Sequence, residues 1–203
     1  QQAESDANAA FFLFAFIVGI FLMSILLMIQ LNSFYQVFII VSAVILSTAG
    51  VQLGYLVTQQ ISSALFTSLG VIALAGIVVN NNIVLVDTYN VISRENPNLS
   101  RDQIVVRTAA QRLRPIILTT ATTVIGLLPL ASGIGVDFYQ RNVEIGGRVS
   151  EWWQPMSFAV VCGLTFASAI TLFLTPCWLM LPVAIRETFS NIKKTFLKTA
   201  SER

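Results

Sequence analysis

Charged residues and histidine are scarce in this chain. Of its 203 residues only 11% are charged, and none is histidine. A soluble domain carries about 25% charged residues, so this chain cannot build a surface that faces water on all sides. The hydrophobic share is 55% and the mean hydropathy is +0.76. We therefore expect lipid to be the solvent for most of the surface, and the net charge of +2 gives no indication of a nucleic-acid partner.

Cysteine is nearly absent as well. The chain has only Cys162 and Cys177, both inside one apolar run, which argues against a disulfide framework and against a Cys/His metal site. No nucleophile is paired with a base, so the sequence does not indicate an enzyme, and no cofactor is expected. The chain starts at Gln1, and no basic segment precedes its first apolar run. That start argues against a signal peptide and is interpreted as a cut through a longer polypeptide.

The long apolar runs predict the fold. Crossing the hydrocarbon layer as a helix takes about 20 mostly apolar residues, and five stretches of that kind occur. The runs do not alternate between apolar and polar residues as the strands of a membrane barrel would. We therefore predict an all-α bundle of about five spanning helices within residues 1–185, followed by a basic cytoplasmic tail, 186–203. The predicted spans are 9–29, 34–57, 64–89, 115–131 and 156–183.

The basic residues predict the orientation. Five lie between the third and fourth spans and five follow the fifth, whereas only Arg141 and Arg148 lie between the fourth and fifth. Because such residues concentrate on the cytoplasmic side, we predict the C-terminus inside and the N-terminus outside. The segments 100–114 and 186–203 have helical apolar spacing, which predicts amphipathic helices at the cytoplasmic interface; an ordinary charged connector is the alternative for the tail. Residues 132–155 are predicted to form an outside loop whose two tryptophans lie at the interface.

Polar groups in the third span are the first candidates for function. A charge in the middle of a membrane helix costs about 2.5–3.5 kcal/mol, and such residues usually face the bundle interior and mark an ion or substrate path. Asn80, Asn81 and Asn82 are consecutive, so they cannot share one face of a helix. Hydrogen bonding between helices is the alternative role for them. Asp87, two turns after Asn80 and near the cytoplasmic end, is a secondary candidate, with helix packing or an interfacial role as its alternative.

The fourth span carries the second group of candidates. Arg112 and Thr119 are seven residues apart, which places them on one face of a helix and about 10 Å apart along its axis. Arg112 can bring positive charge into the bundle, and Thr119 can pass a hydrogen bond without charge. Thr120 and Thr123 are secondary candidates.

These two motifs resemble those of a known family. Residues 76–87, with their asparagine cluster, and the Arg-Leu-Arg-Pro-Ile-Ile-Leu-Thr-Thr sequence of residues 112–120 are similar to the resistance-nodulation-division permeases of the hydrophobe/amphiphile efflux type. The resemblance implies that the chain corresponds to helices eight to twelve, the C-terminal membrane portion, of a twelve-helix protomer. It also implies a homotrimer in the bacterial inner membrane that works with a periplasmic adaptor protein and an outer-membrane channel. Such pumps export drugs or other amphiphiles by proton antiport.

The resemblance also implies a proton relay. In the family, two aspartates of the fourth helix act with a lysine of the tenth helix and with an arginine and a threonine of the eleventh. Arg112 and Thr119 match the last two, whereas Asn80, followed by Asn81, stands at the lysine position. We therefore predict these four residues as the relay part of this chain, with the proton as coupling ion and the paired aspartates supplied by an N-terminal half. The alternative is a membrane scaffold or protein-export accessory subunit of the same superfamily that transports nothing.

Overall fold

The computed structural model describes the backbone of residues 2–60, 63–137 and 142–201, with side chains for residues 7–60, 63–134, 146–147 and 150–181. In that part of the chain it contains five long helices and one short antiparallel hairpin. All five helices are long and apolar enough to cross a membrane, which confirms the predicted all-α bundle. In chain order the elements are α1 (Gln2–Leu31), α2 (Phe34–Thr58), α3 (Ala64–Glu95), α4 (Arg101–Ala131), β1 (Ile134–Asp137), β2 (Asn142–Ile145) and α5 (Arg148–Ser201).

Short connections set the direction of successive helices. Only a few residues separate α1 from α2, α2 from α3 and α3 from α4, and such short links make neighbouring helices antiparallel. The start of α4 has a capping box formed by Ser100 and Gln103. The backbone N–H of Gln103 donates to Ser100 Oγ at 3.4 Å, and the backbone N–H of Ser100 donates to Gln103 Oε1 at 3.3 Å. These bonds satisfy two backbone donors that a helix start otherwise leaves free.

α4 differs from the prediction. The sequence predicts an interfacial helix over 100–114 and a separate spanning helix over 115–131, whereas the structure has one unbroken helix from Arg101 to Ala131. Pro115 lies inside it, but a proline is fixed near the helical φ and removes a single donor from the backbone ladder. The turns on both sides keep their bonds, so the helix continues. Arg112 and Thr119 therefore lie on the same helix.

α5 also begins earlier than predicted. The sequence predicts a loop over 132–155, but the structure has the β1–β2 hairpin there and starts α5 at Arg148. Trp152 and Trp153 thus lie in the first turns of α5, with ring centroids 6.5 and 5.9 Å from that of Phe66 on α3. This helix–helix contact is the physical reason why the segment is ordered as a helix.

The C-terminal half of α5 crosses the boundary predicted between bundle and tail. The helix continues without a break to Ser201. Side chains beyond Leu181 lie outside the described part of the chain. The basic amphipathic character of 186–203 therefore remains a prediction.

α5 is the centre of the bundle. Half of the residues in its most apolar stretch are buried inside the protein, whereas only a small share of the corresponding residues of α1 and α4 is buried. Glycines allow the close approach of α2 and α3 to α5. A Cβ added to Gly54 would lie 2.5 Å from Cys162 Cβ, and one added to Gly163 would lie 2.7 Å from Val51 Cγ2. Small residues at such positions let membrane helices pack with their backbones close together.

Candidate functional site

The three consecutive asparagines of α3 point in different directions. Asn80 is exposed, Asn81 is half-buried and Asn82 is fully buried. This is the divergence expected from three adjacent helical positions, which are about 100° apart. Only one of the three can face the centre of this bundle, and it is Asn82.

Asn82 is held by three hydrogen bonds. Its Nδ2 donates to the Val78 carbonyl at 2.9 Å and to Thr171 Oγ1 at 3.3 Å, and its Oδ1 accepts from Thr175 Oγ1 at 3.0 Å. Both threonines lie on α5 and are almost fully buried. Both donors and the acceptor of the amide are in use, so the orientation of Asn82 is fixed and α3 is bonded to α5.

The threonines of α4 are also divided between two directions. Thr120 Oγ1 lies 2.7 Å from Ser168 Oγ on α5, which bonds α4 to α5. Thr119 is exposed, and its hydroxyl donates to the Ile116 carbonyl of its own helix at 3.0 Å. Thr123 is half-buried and likewise donates to its own helix, to the Thr119 carbonyl at 2.8 Å. Bonds of this kind leave the hydroxyl oxygen able to accept from another partner.

Arg112 is bonded to α3. Its Nε donates to Thr88 Oγ1, and the Thr88 hydroxyl donates in turn to the Val84 carbonyl at 2.7 Å. Thr88 is 6% exposed and Arg112 is half-buried. Thr88 thus fixes the Nε end of the guanidinium group. The two terminal nitrogens of Arg112 take no part in this hydrogen bond. Asp87, next to Thr88, is exposed.

The contact between Arg112 and Thr88 sets the register of α3 against α4. Because the two helices are antiparallel, moving from Thr88 back to Asn80 and from Arg112 forward to Thr119 leads in the same direction, by about 12 and 10 Å. Asn80 and Thr119 therefore lie at nearly the same depth in the bundle. Asn81 is seven residues before Thr88 and so lies on the same stripe of α3 that faces Arg112.

The bonds to α5 agree with this register. Asn82 of α3 bonds Thr171, and Thr120 of α4 bonds Ser168. The two α5 residues are three positions apart, about 4.5 Å along the axis. Two independent sets of contacts thus place the asparagines of α3 and the threonines of α4 at nearly the same depth in the bundle.

The sequence predicts candidate residues on α3 and α4 but does not identify the residues that hydrogen-bond to them. Thr88 and the three hydroxyls of α5 were not among the candidates, and Asn82 was considered only as one of three asparagines. A signal for α5 exists in the sequence, because Ser168, Thr171 and Thr175 follow one another at spacings of three and four on one helical face. Thr88 has no comparable signal, since its role depends on where α4 packs.

The arrangement has the chemistry to hold an anionic group. It offers a guanidinium, amides and hydroxyls, which are hydrogen-bond donors to a carboxylate. Among the residues that the structure describes, no group of three or more His, Cys, Asp or Glu side chains could hold a metal ion. Asn80 and Thr119 are exposed at mid-helix, where lipid supplies no hydrogen-bond partner for the Asn80 amide.

Comparisons with known proteins identify the family. Residues 1–182 match the AcrB/AcrD/AcrF family. The chain is similar to the multidrug resistance protein MdtC of Citrobacter koseri, with 32% identity over 149 residues that cover 72% of this chain and 13% of that protein. It is also similar to MdtC of Escherichia coli strain UTI89, with 32% identity over 152 residues, 73% of this chain and 13% of that protein.

A solved structure of an efflux pump has a similar fold. The fold is similar to the crystal structure of a heavy metal efflux pump, with a TM-score of 0.63 and 29% sequence identity over 80% of this chain and 15% of that one. The chain thus spans about an eighth of the length of the curated relatives that it matches, since it covers 13% of each. Its five apolar helices make it a multi-pass membrane protein. The chain belongs to the AcrB/AcrD/AcrF family of resistance-nodulation-division efflux permeases and forms part of the membrane-spanning region.

Proposed function

We propose that this chain is the C-terminal membrane part, helices eight to twelve, of a proton-driven efflux permease of the bacterial inner membrane, and that it contributes one side of the proton relay. The observation that supports this proposal best is the hydrogen bond from Arg112 Nε to Thr88 Oγ1. From this contact, polar residues on the facing sides of α3 and α4 lead to the amides of Asn80 and Asn81 and to the hydroxyl of Thr119. A membrane protein without a proton or ion path has little reason to carry these groups at mid-helix, because each is costly in lipid.

The relay residues of this chain are Asn80, Asn81, Arg112 and Thr119. The proton-binding carboxylates would come from another helix of the transporter, packed on the face where Asn80 and Thr119 are exposed. While those carboxylates are charged, the Arg112 guanidinium attracts them and the amides and Thr119 hydrogen-bond to them. When the carboxylates bind protons, this attraction is lost. The helices that carry the carboxylates and the helices that carry the relay residues then move apart or slide past one another. That movement is the step that would drive substrate export.

Asn80 changes how the charge is distributed at this site. An amide donates hydrogen bonds but carries no charge, so the attraction for a carboxylate comes from Arg112, about 10–12 Å away along the helix axes. Where the family usually has two cations, a lysine and an arginine, this chain has Asn80 and Arg112 and so one cation. We therefore propose that Arg112 contributes more of the electrostatic coupling here than the arginine does where a lysine accompanies it.

Topology and partners follow from the same proposal. The N-terminus lies in the periplasm and the C-terminus in the cytoplasm, which places the α3–α4 connection, flanked by Arg94 and Arg101, inside the cell. The complete pump works as a homotrimer with a periplasmic adaptor and an outer-membrane channel. The curated relatives are multidrug resistance proteins, so we propose amphiphilic drugs as the substrate class.

Two arginines of α4 offer a matched pair for testing the relay. Arg112 is half-buried and bonded to Thr88, whereas Arg114 is exposed, and Ala at either position removes the same charge. Removing one partner of a buried ion pair costs about 3–5 kcal/mol. In the native gene product that carries this chain, Arg112→Ala should abolish dye efflux from a pump-deficient strain, while Arg114→Ala should retain it. Both variants should insert into the membrane at the wild-type level, measured by immunoblot of the membrane fraction.

Other outcomes would contradict the proposal in different ways. Normal efflux by Arg112→Ala would show that this residue has no part in coupling. A wild-type protein that inserts but exports no dye, with or without a proton gradient, would instead indicate the scaffold or accessory role.

A further inference from the structure

A line of buried hydroxyls runs along α5. Its members, called here the hydroxyl stripe, are Ser168, Thr171 and Thr175, with exposed fractions of 8, 2 and 1%. Their spacings of three and four residues place them on one face of the helix. Buried hydroxyls are costly unless they are hydrogen-bonded, and each of these three is bonded to another helix.

Each of these bonds reaches a residue adjacent to a relay residue. Thr171 and Thr175 hold Asn82, which directly follows Asn81, and Ser168 holds Thr120, which directly follows Thr119. Neighbouring residues of a helix are about 100° apart around its axis. Fixing the direction of one of them therefore fixes the direction of the next.

We propose that the hydroxyl stripe positions the relay. By bonding Asn82 and Thr120, it fixes the rotation of α3 and α4 about their axes, so that Asn80 and Thr119 point to the exposed face at nearly the same depth. This inference rests on the proposed function, since it assigns a role to residues that support the relay. The three hydroxyls do not themselves contact the transported proton; they are positioning residues.

Packing and hydrogen bonds act together on this angle. Around the stripe, α3 packs on α5 through apolar side chains such as Leu74, which lies against Gly163. Hydrogen bonds are directional, and the amide of Asn82 uses both donors and its acceptor in fixed directions. A rotation of α3 large enough to turn Asn81 away would break at least two of them.

The chain offers a matched control at the other end of α3. Gln36 of α2 and Asn90 of α3 form a reciprocal amide pair, with distances of 2.7 and 3.0 Å. This pair also joins two helices through side-chain amides. Asn90 is ten residues from Asn80, about 15 Å along the axis, and neither it nor Gln36 is adjacent to a relay residue.

The test uses the native gene product reconstituted in proteoliposomes, with efflux of the cationic amphiphile ethidium followed at a series of external pH values. Asn82→Leu and Thr175→Val should each lower the proton-driven rate about tenfold or more, as small misplacements of reacting groups do, and should shift the pH of half-maximal efflux. Thr175→Ser, which keeps the donor, should restore the wild-type profile. The double variant with Asn82→Leu and Thr175→Val should have an efflux rate no lower than that of Asn82→Leu alone, because both substitutions remove the same bond. The control Asn90→Leu should keep the wild-type pH profile.

Wild-type pH profiles for both Asn82→Leu and Thr175→Val would overturn the positioning role while leaving the proposed function intact. A wild-type protein whose efflux does not respond to the proton gradient would overturn the proposed function, and this inference with it. If Asn82→Leu reduces insertion, a second measurement decides the question. Thr119→Cys is introduced into a protein whose Cys162 and Cys177 are replaced by Ala, and it is labelled with a maleimide. The labelling rate is then compared with that of the same protein carrying Ser168→Ala. A changed labelling rate supports the positioning role, and equal rates overturn it.

Discussion

Gly70 is a position where one added methyl group should disturb the bundle, because the nearest neighbour there is backbone. A Cβ built there lies 2.8 Å from the Met156 carbonyl oxygen and 2.9 Å from Ala159 Cβ. The first of these contacts is with backbone, which cannot turn aside as a flexible side chain can. In Gly70→Ala, α3 and α5 must therefore separate by several tenths of an ångström over the turns around this contact.

The magnitude follows from two opposing effects. Overpacking of this kind costs about 1–3 kcal/mol, whereas replacing glycine by alanine inside a helix gains up to about 1 kcal/mol. Gly19→Ala is the control, because a Cβ at Gly19 meets nothing within 4 Å, and it receives only the second effect. Gly76 is equally open, but it lies one turn before Asn80 and so belongs to the proposed relay face. We expect Gly70→Ala to be less stable than Gly19→Ala by about 1–3 kcal/mol.

The free energy of unfolding is measured by titrating detergent-solubilised protein from a mild detergent into sodium dodecyl sulfate, with helix content followed by circular dichroism. A common midpoint for both variants, or a more stable Gly70→Ala, would refute the close packing of α3 on α5. A reduced stability of Gly19→Ala would refute the assignment of α1 to the lipid-facing periphery.

Three further results are expected. Tyr55→Phe removes the hydroxyl that donates to the Pro155 carbonyl at 2.7 Å, so the same titration should show a loss of about 0.5–1.5 kcal/mol; an unchanged value would contradict that bond. Ser100→Ala removes the capping box of α4 and should cost about 0.5–2 kcal/mol, whereas Ser100→Asp should cost little. In sealed vesicles, a membrane-impermeant maleimide should label Asn98→Cys and Gln60→Cys from opposite sides, the former from the cytoplasm; labelling from one side would contradict the predicted topology.

The architecture was largely predictable because lipid imposes a simple rule on sequence. A membrane helix must be apolar over about 20 residues, so the number of helices and their all-α class follow from the apolar runs. The ends of α4 and α5 were not predictable in the same way. The charged residues before Pro115 and the tryptophan-containing residues 148–154 are typical of connectors, yet both are helical because they continue helices that pack in the bundle.

The site was predictable only for side chains that stand out against an apolar background. The three asparagines of α3 and Arg112 do so, and the structure brings Arg112 onto α3 through Thr88. Which asparagine faces the core could not be read from the sequence, because that choice depends on the rotation of α3 against α5. It is Asn82, one position beyond the two predicted as relay residues. Thr171 and Thr175 share a helical spacing with Ser168, but threonine is common in membrane helices, where its hydroxyl can bond its own backbone, so that spacing acquires a meaning only once the packing is known.

The central place of α5 has a consequence for how the protein is made. α5 is the last of the five helices to leave the ribosome, yet α2, α3 and α4 all pack against it. Until it emerges, the glycines of α2 and α3 face no partner and Asn82 has no threonine to bond. Helices α1 to α4 must therefore wait in the membrane as a loosely associated group, and consolidation of the bundle is a late event in synthesis. A ribosome that stalls before α5 leaves behind a chain that is inserted but not folded, with its most polar core residue still unpartnered.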